Sequence, residues 1–151
     1  MTKYNILNEI LDFAIGNEID AYKFYTSLAE KTQNPEMKQV LLNFATEEKG
    51  HKKLLEDFKK GKDVKLGGEK ITDLKIADYT VDIQPTENMS YQDILTLAMK
   101  KEKAAFALYT DLADISPDPD AKKLFTLLAQ QEAKHKLRFE LEYDNVVLKE
   151  D

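Results

Sequence analysis

The chain has 151 residues, of which 42% are hydrophobic and 33% charged, with a formal net charge of −6 and no cysteine. This length fits one domain, residues 1–151, that buries a sizeable core, and the acidic balance argues against nucleic acid as a partner. The lack of cysteine excludes disulfides, thiolate zinc sites and iron–sulfur centres within this chain. No signal-peptide pattern and no apolar run of membrane-spanning length is visible, so we expect no membrane contact and a cytoplasmic location.

The first half of the sequence predicts two long helices, at about residues 6–31 and 34–60. Asn34 is the expected N-cap of the second helix, and Pro35 occupies its first helical position. The predicted inner face of the first helix consists of Leu11, Ala14, Glu18, Tyr22, Tyr25 and Ala29. That of the second consists of Leu41, Phe44, Glu48, His51, Leu55 and Phe58.

The second half predicts two more helices, at about residues 90–116 and 118–143. Ser90 with Asp93 forms a capping-box pattern, and Asp118 before Pro119 repeats the cap chemistry of the second helix. The fourth helix is expected to fray after Tyr143. The predicted inner faces are Leu95, Ala98, Glu102, Phe106, Tyr109 and Ala113, and then Phe125, Leu128, Glu132, His135 and Phe139.

The lengths of the connections predict the topology. Links of one or two residues within each half indicate antiparallel helix hairpins. Residues 61–89 are long enough to return along the whole bundle, with one short helix expected near Asp73–Tyr79. The predicted fold is therefore all-α: a four-helix bundle of two hairpins joined by one long crossover, which is the ferritin-like topology.

The two halves repeat one arrangement of acidic and imidazole side chains. The only histidines, His51 and His135, are 84 residues apart, and each follows a glutamate by three positions. The same offset carries Glu18 onto Glu102. Four carboxylates and two imidazoles on the inner faces of four helices are typical of a carboxylate-bridged pair of metal ions. The predicted metal ligands are Glu18, Glu48, His51, Glu102, Glu132 and His135.

Each part of this pattern has a simpler interpretation when it is taken alone. A single E-x-x-H in a charged helix is more often a solvent-exposed pair, and Glu47 also lies one turn before His51. The repeat favours Glu48, because Glu132 corresponds to it whereas Gln131 corresponds to Glu47. Tyr25 and Tyr109 also correspond, and they are core aromatics on the simpler interpretation. On the alternative interpretation, the hydroxyls of both tyrosines donate hydrogen bonds to metal-bound carboxylates.

On these residues the sequence resembles the diiron domain of rubrerythrins, within the ferritin-like superfamily. The matching motifs are Glu18-x-x-Ala21-x-x-x-Tyr25, Glu48-x-x-His51, Glu102-x-x-Ala105-x-x-x-Tyr109 and Glu132-x-x-His135. The resemblance implies two iron ions, although manganese or zinc would also suit these ligands. It further implies that Glu48 and Glu132 bridge the metals, that Glu18 and His51 complete one position, and that Glu102 and His135 complete the other.

Two departures from the family pattern stand out. Ala105 occupies the place of a further glutamate that rubrerythrins carry, which makes the site more symmetric and closer to that of bacterioferritin. The cysteine-rich rubredoxin module is missing, so electrons would come from a separate donor such as a rubredoxin. Only eight residues follow Tyr143, and on that basis we do not expect a storage shell.

The resemblance implies a peroxidase or oxidase that reduces H2O2 or O2 with Fe(II), in detoxification of oxidants. An iron-binding, ferroxidase-like buffer or carrier without turnover uses the same ligands, as does a structural bundle that holds zinc. A homodimer is expected, and the long crossover would permit exchange of helix hairpins between two chains.

Overall fold

The computed structural model describes residues 3–61, 76–81, 89–116 and 118–150. These stretches contain four α-helices and one short 3-10 helix, and no β-strand, so the all-α prediction is confirmed. The elements are α1 (Lys3–Lys31), α2 (Pro35–Gly61), the 3-10 helix (Ile76–Tyr79), α3 (Tyr91–Ile115) and α4 (Pro119–Glu150).

Three helices begin at the caps that the sequence predicts. The Asn34 side-chain oxygen accepts hydrogen bonds from backbone N–H groups in the first turn of α2, including that of Met37 at 3.2 Å. Ser90 Oγ accepts from the Asp93 N–H at 3.1 Å, and the Asp93 carboxylate accepts from the Ser90 N–H at 3.4 Å. Asp118 accepts from the backbone two residues further on, at 3.3 Å. Each cap satisfies N–H groups that the helix itself leaves unpaired.

The described residues belong to two compact units, and the first, Met1–Val64, contains α1 and α2. Residues 32–34 connect the two helices as an antiparallel hairpin. Asp12, in the first half of α1, pairs with Lys59 at the end of α2, as this arrangement requires. The buried apolar side chains of this hairpin are Ile10, Leu11, Ala14, Tyr25, Leu28, Ala29, Met37, Leu41, Ala45 and Leu55.

The second unit, Lys65–Asp151, contains the 3-10 helix, α3 and α4. Tyr91, at the start of α3, donates a hydrogen bond of 2.9 Å to Glu142 in the last third of α4, so these helices are also antiparallel. The Tyr79 hydroxyl donates one of 2.7 Å to Asp111 and attaches the 3-10 helix to α3. The buried side chains of α3 and α4 include Leu95, Leu97, Leu108, Tyr109, Leu112, Phe125, Leu128 and Phe139.

The helix ends differ from the prediction in two places. Helix α1 begins at Lys3 rather than near residue 6, and α4 continues past Tyr143 to Glu150. No glycine or proline follows Tyr143, so nothing local ends the helix there. Of the short helix expected near Asp73–Tyr79, residues 76–79 form the 3-10 helix. Its first three residues, and most of the predicted crossover at 61–89, lie outside the described residues, and the single domain stays a prediction.

The predicted inner faces of α1 and α3 were wrong at one matched position. Tyr22 and Phe106, four residues after Glu18 and Glu102, are both exposed. Four residues advance a helix about 40° beyond a full turn. The buried side chains extend to the opposite side of each glutamate, to Leu28 on α1 and Leu112 on α3, so the two aromatic rings fall outside the buried arc.

No helix in the four described stretches combines the length and the apolar character that crossing a membrane requires.

Candidate metal centre

The first unit brings together three of the predicted ligands, which we call the first triad: Glu18 of α1 with Glu48 and His51 of α2. Glu18 and Glu48 are only 2% and 1% exposed, and His51 is 6% exposed. His51 Nδ1 lies 3.5 Å from Glu18 Oε2 and 3.4 Å from Glu48 Oε1. One ligand atom from each residue lies within 4.8 Å of those of the other two.

The second unit repeats this arrangement in a second triad: Glu102 of α3 with Glu132 and His135 of α4. None of these three side chains is more than 2% exposed. His135 Nδ1 lies 3.8 Å from Glu102 Oε1, and again one ligand atom from each residue lies within 4.8 Å of the others. The internal repeat of the sequence is thus a repeat of side-chain geometry.

Helical periodicity explains how each triad is assembled. Glu48 and His51 are three residues apart, so they project from the same face of α2, as do Glu132 and His135 on α4. On α1, Glu18 occupies a place in the buried row between Ala14 and Tyr25. Packing of the two helices within a hairpin therefore brings the glutamate of the first helix close to the Glu and His of the second.

The composition of each triad fits a divalent metal ion. A carboxylate loses several kcal/mol of solvation when it is buried, unless a cation or a set of hydrogen bonds replaces the water. Each triad contains two such carboxylates, and one divalent ion carries the charge that balances them. Two carboxylates and one imidazole are oxygen and nitrogen donors of the kind that iron, manganese and zinc accept.

The geometry also identifies the ring nitrogen that would bind. In both triads it is Nδ1 that faces the carboxylates. A histidine binds a metal through an unprotonated nitrogen, so the ligating form of His51 and His135 carries its proton on Nε2.

The structure also distinguishes Glu48 from its neighbour. Glu47, which shares the spacing to His51, is only half-buried, whereas Glu48 is fully buried and belongs to the first triad. In the second repeat, Gln131 is half-buried beside the fully buried Glu132. This is the assignment that the repeat favours on sequence grounds.

Tyr25 and Tyr109 are both buried, as expected for core aromatics. The Tyr25 ring meets the edge of Phe44 at 6.1 Å between centroids and that of Phe24 at 5.6 Å. Such edge-to-face contacts stabilise a core independently of any metal. A role for either hydroxyl beside a metal-bound carboxylate stays a prediction.

A family match covers the part of the chain that contains both triads. The sequence model of the rubrerythrin family matches residues 9–143, a range that contains both triads. The chain belongs to the rubrerythrin family.

Solved structures support the fold of this chain. A hypothetical protein from Pyrococcus furiosus is 29% identical, with a TM-score of 0.72, and the match covers 97% of this chain and 91% of that one. A protein from Thermotoga maritima, described as a candidate ferritin-like diiron-carboxylate protein, is 21% identical with a TM-score of 0.74, and 95% of each chain is covered. The predicted ferritin-like four-helix fold is therefore confirmed. No curated protein matches the sequence significantly.

The sequence did not predict two polar contacts, one between Tyr79 and Asp111 and one between Tyr91 and Glu142. In each case burial and an acidic acceptor raise the pKa of the tyrosine hydroxyl. The partners are 32 and 51 residues apart along the chain. No local pattern links residues so distant, so only the folded second unit could reveal these contacts.

Proposed function

We propose that this protein is a non-haem diiron oxidoreductase that reduces hydrogen peroxide, or dioxygen, to water with electrons from a separate donor protein. The observation that carries the proposal is the duplication of a buried Glu–Glu–His triad, once in each unit. One triad could be a chance cluster, but two with the same composition, spacing and burial indicate two equivalent metal positions. Membership of the rubrerythrin family supports the choice of iron.

In this proposal each triad would hold one ion. Glu18, Glu48 and His51 would bind one, and Glu102, Glu132 and His135 would bind the other. Four carboxylates carry the charge that balances two divalent ions. Bound as Fe(II), the two ions would supply the two electrons that, with two protons, convert one H2O2 to two waters.

The surrounding side chains would keep bulk water from the ligands. Leu11 and Ala14 on α1, and Leu41 and Leu55 on α2, are fully buried in the same hairpin as the first triad. Leu95, Phe125 and Phe139 are fully buried in the hairpin of the second. A dry, low-dielectric surrounding strengthens each carboxylate–metal interaction and limits loss of the ions to solvent.

The proposal is tested by rapid mixing of Fe(II)-loaded protein with H2O2. We expect two irons per chain and a rapid rise of a near-ultraviolet absorbance band as both ions are oxidised. Glu48→Gln should lose most of that amplitude and some of the bound iron. Glu47→Gln is the matched control, since it changes the adjacent, half-buried carboxylate outside the triad, and it should react like the unaltered protein. A two-iron protein that gives no such band would overturn the proposed reaction.

Further measurements on the same protein distinguish this proposal from the two alternatives, an iron buffer or carrier and a structural zinc bundle. An iron buffer or carrier would take up ions without consuming peroxide in the presence of an electron donor, and storage would load tens of irons per chain. A structural zinc site would give a large loss of thermal stability on chelation and no reaction with peroxide.

A further inference from the structure

The outward face of α4 carries a row of residues that neither triad uses. Alternating steps of four and three residues define this row, which we call the α4 stripe: Lys123, Leu127, Gln130, Lys134, Leu137, Leu141, Asp144 and Leu148. All eight side chains are exposed, and the four leucines retain between 45% and 70% of their accessible surface. Steps of four and three repeat every seven residues, which is the spacing of a helix that packs along another helix.

The repeat shows that the fold does not require leucines at these positions. The residues of α2 that correspond to Leu127, Leu137 and Leu141 are Asn43, Lys53 and Asp57. On α2 the polar side chains of this face form hydrogen bonds with one another. Lys53 donates to Asp57 at 3.2 Å, and Gln39 donates to Asn43 at 2.9 Å. The two hairpins therefore share their triads but differ on this face, where only α4 is apolar.

The central positions of the α4 stripe are spaced symmetrically about the level of Phe139. Leu137 and Leu141 lie two residues to either side of that level, and Lys134 and Asp144 lie five to either side. In an antiparallel pair of α4 helices with a two-fold axis at this level, Leu137 of one chain meets Leu141 of the second copy. Lys134 then meets Asp144 of the second copy, and symmetry repeats both layers.

The charges distinguish this arrangement from the parallel one. In a parallel pair each residue faces its own counterpart, so Lys134 would face Lys134 of the second copy and Asp144 would face Asp144. Like charges in contact are unfavourable, whereas the antiparallel register converts both layers into opposite-charge pairs that flank two leucine layers. Polar residues at such positions are known to select the orientation of paired helices at some cost in stability.

We infer that the α4 stripe binds a second copy of this chain, through antiparallel pairing of the two α4 helices about Phe139. The contact buries Leu137 and Leu141 of both copies and pairs Lys134 with Asp144 twice. It uses one patch twice, which is the arrangement of a closed two-fold dimer. The inference does not depend on metal binding or on the proposed reaction, because no ligand of either triad belongs to the stripe.

Sedimentation of the full chain, with and without iron, tests the apolar layers. The unaltered protein should form a dimer whose population rises with concentration. Leu137→Glu with Leu141→Glu should raise the dissociation constant by at least about 100-fold, because each leucine layer then contains two like charges. Leu54→Glu is the matched control: Leu54 is 41% exposed, on α2, and its change should leave the dimer intact. A monomeric unaltered protein, or a dimer indifferent to the double change, would overturn the inference.

Charge reversal tests the orientation and keeps the leucines in place. Lys134→Asp alone and Asp144→Lys alone should each weaken the dimer about tenfold or more, because two opposite-charge layers become like-charge layers. A mixture of these two variants should form a heterodimer of restored affinity, as should the chain that carries both changes. Residues 134 and 144 are about 15 Å apart along one helix, so they do not contact each other within one chain. Restored dimer affinity in the chain with both changes would therefore come from contacts between the two copies.

The rescue experiment also separates other modes of association. A dimer formed by exchange of helix hairpins would persist in all four variants. A stripe that binds a different protein would leave the unaltered chain monomeric. Either result, or a failure of the mixture to associate, would overturn the antiparallel pairing.

Discussion

His51 Nδ1 lies 3.4 Å from Glu48 Oε1, one helical turn away on α2, and the same nitrogen lies 3.5 Å from Glu18 Oε2 on α1. One imidazole nitrogen therefore faces both carboxylates of its triad. Each of the three side chains projects from a helix into a packed hairpin, so the packing of the hairpin fixes their relative positions. A site positioned in this way loses little conformational entropy when it binds an ion.

Removal of one imidazole should reduce metal affinity more than it changes the metal-free fold. We expect His51→Ala to lower the bound iron from two ions per chain and to shrink the difference in melting temperature between metal-loaded and chelated protein. Binding to the folded state alone stabilises by about 2.7 kcal/mol at 100 times the dissociation constant, and that gain falls as the affinity falls. Metal analysis with paired thermal melts measures both quantities. Lys52→Ala, on the adjacent and more exposed position, should change neither.

Replacement of a lone glutamate should have opposite effects on the two forms of the protein. Glu102→Leu removes a buried carboxylate from a core position, so the metal-free protein should become more stable, by about 1–3 kcal/mol. The same change removes a ligand, so stabilisation by added iron should largely disappear. Denaturant unfolding with and without iron checks the reversal of sign. A metal-free Glu102→Leu protein that is clearly less stable would mean that the carboxylate contributes to packing without a metal.

The contact between Tyr79 and Asp111 should contribute to the attachment of the 3-10 helix. Tyr79→Phe deletes a hydrogen bond of 2.7 Å to a charged acceptor, and such bonds contribute about 1.5–3 kcal/mol when they are well formed. Because the site is only partly buried, we expect a loss of about 1 kcal/mol in the free energy of unfolding. Urea unfolding gives the value. Tyr22→Phe removes a hydroxyl from an exposed ring and should lie within about 0.5 kcal/mol of the unaltered protein.

Alkaline pH should weaken the second unit through two tyrosines. Burial, followed by a hydrogen bond to Asp111, raises the pKa of Tyr79, and burial with a hydrogen bond to Glu142 does the same for Tyr91. A raised pKa in the folded state means that folding favours the protonated hydroxyl. The contribution of each tyrosine to the free energy of unfolding is therefore complete below its unfolded pKa of about 10. That contribution is lost as the pH rises from there towards the folded pKa. The free energy of unfolding, measured across this range, should fall less steeply in the Tyr79→Phe, Tyr91→Phe double variant.

Much of this protein can be deduced from local and periodic features of its sequence. Asn34, Ser90 and Asp118 are recognisable as caps because a cap bonds to the backbone two or three residues away. The members of each triad are recognisable because a helix places residues three apart on one face, and because the repeat states the same pattern twice. The choice of Glu48 over Glu47 depends on that repeat, and the burial of Glu48 agrees with it.

Only the tertiary structure decided where the buried face of each helix ends and which residues distant in sequence are in contact. Tyr22 and Phe106 lie within the helical spacing of a core residue, yet the rotation of α1 and α3 about their own axes leaves both exposed. Tyr79 meets Asp111, and Tyr91 meets Glu142, across 32 and 51 residues. Helical periodicity determines relative directions within one helix. The absolute rotation of a helix and its partners follow from the packing of whole hairpins, which no single segment of sequence contains.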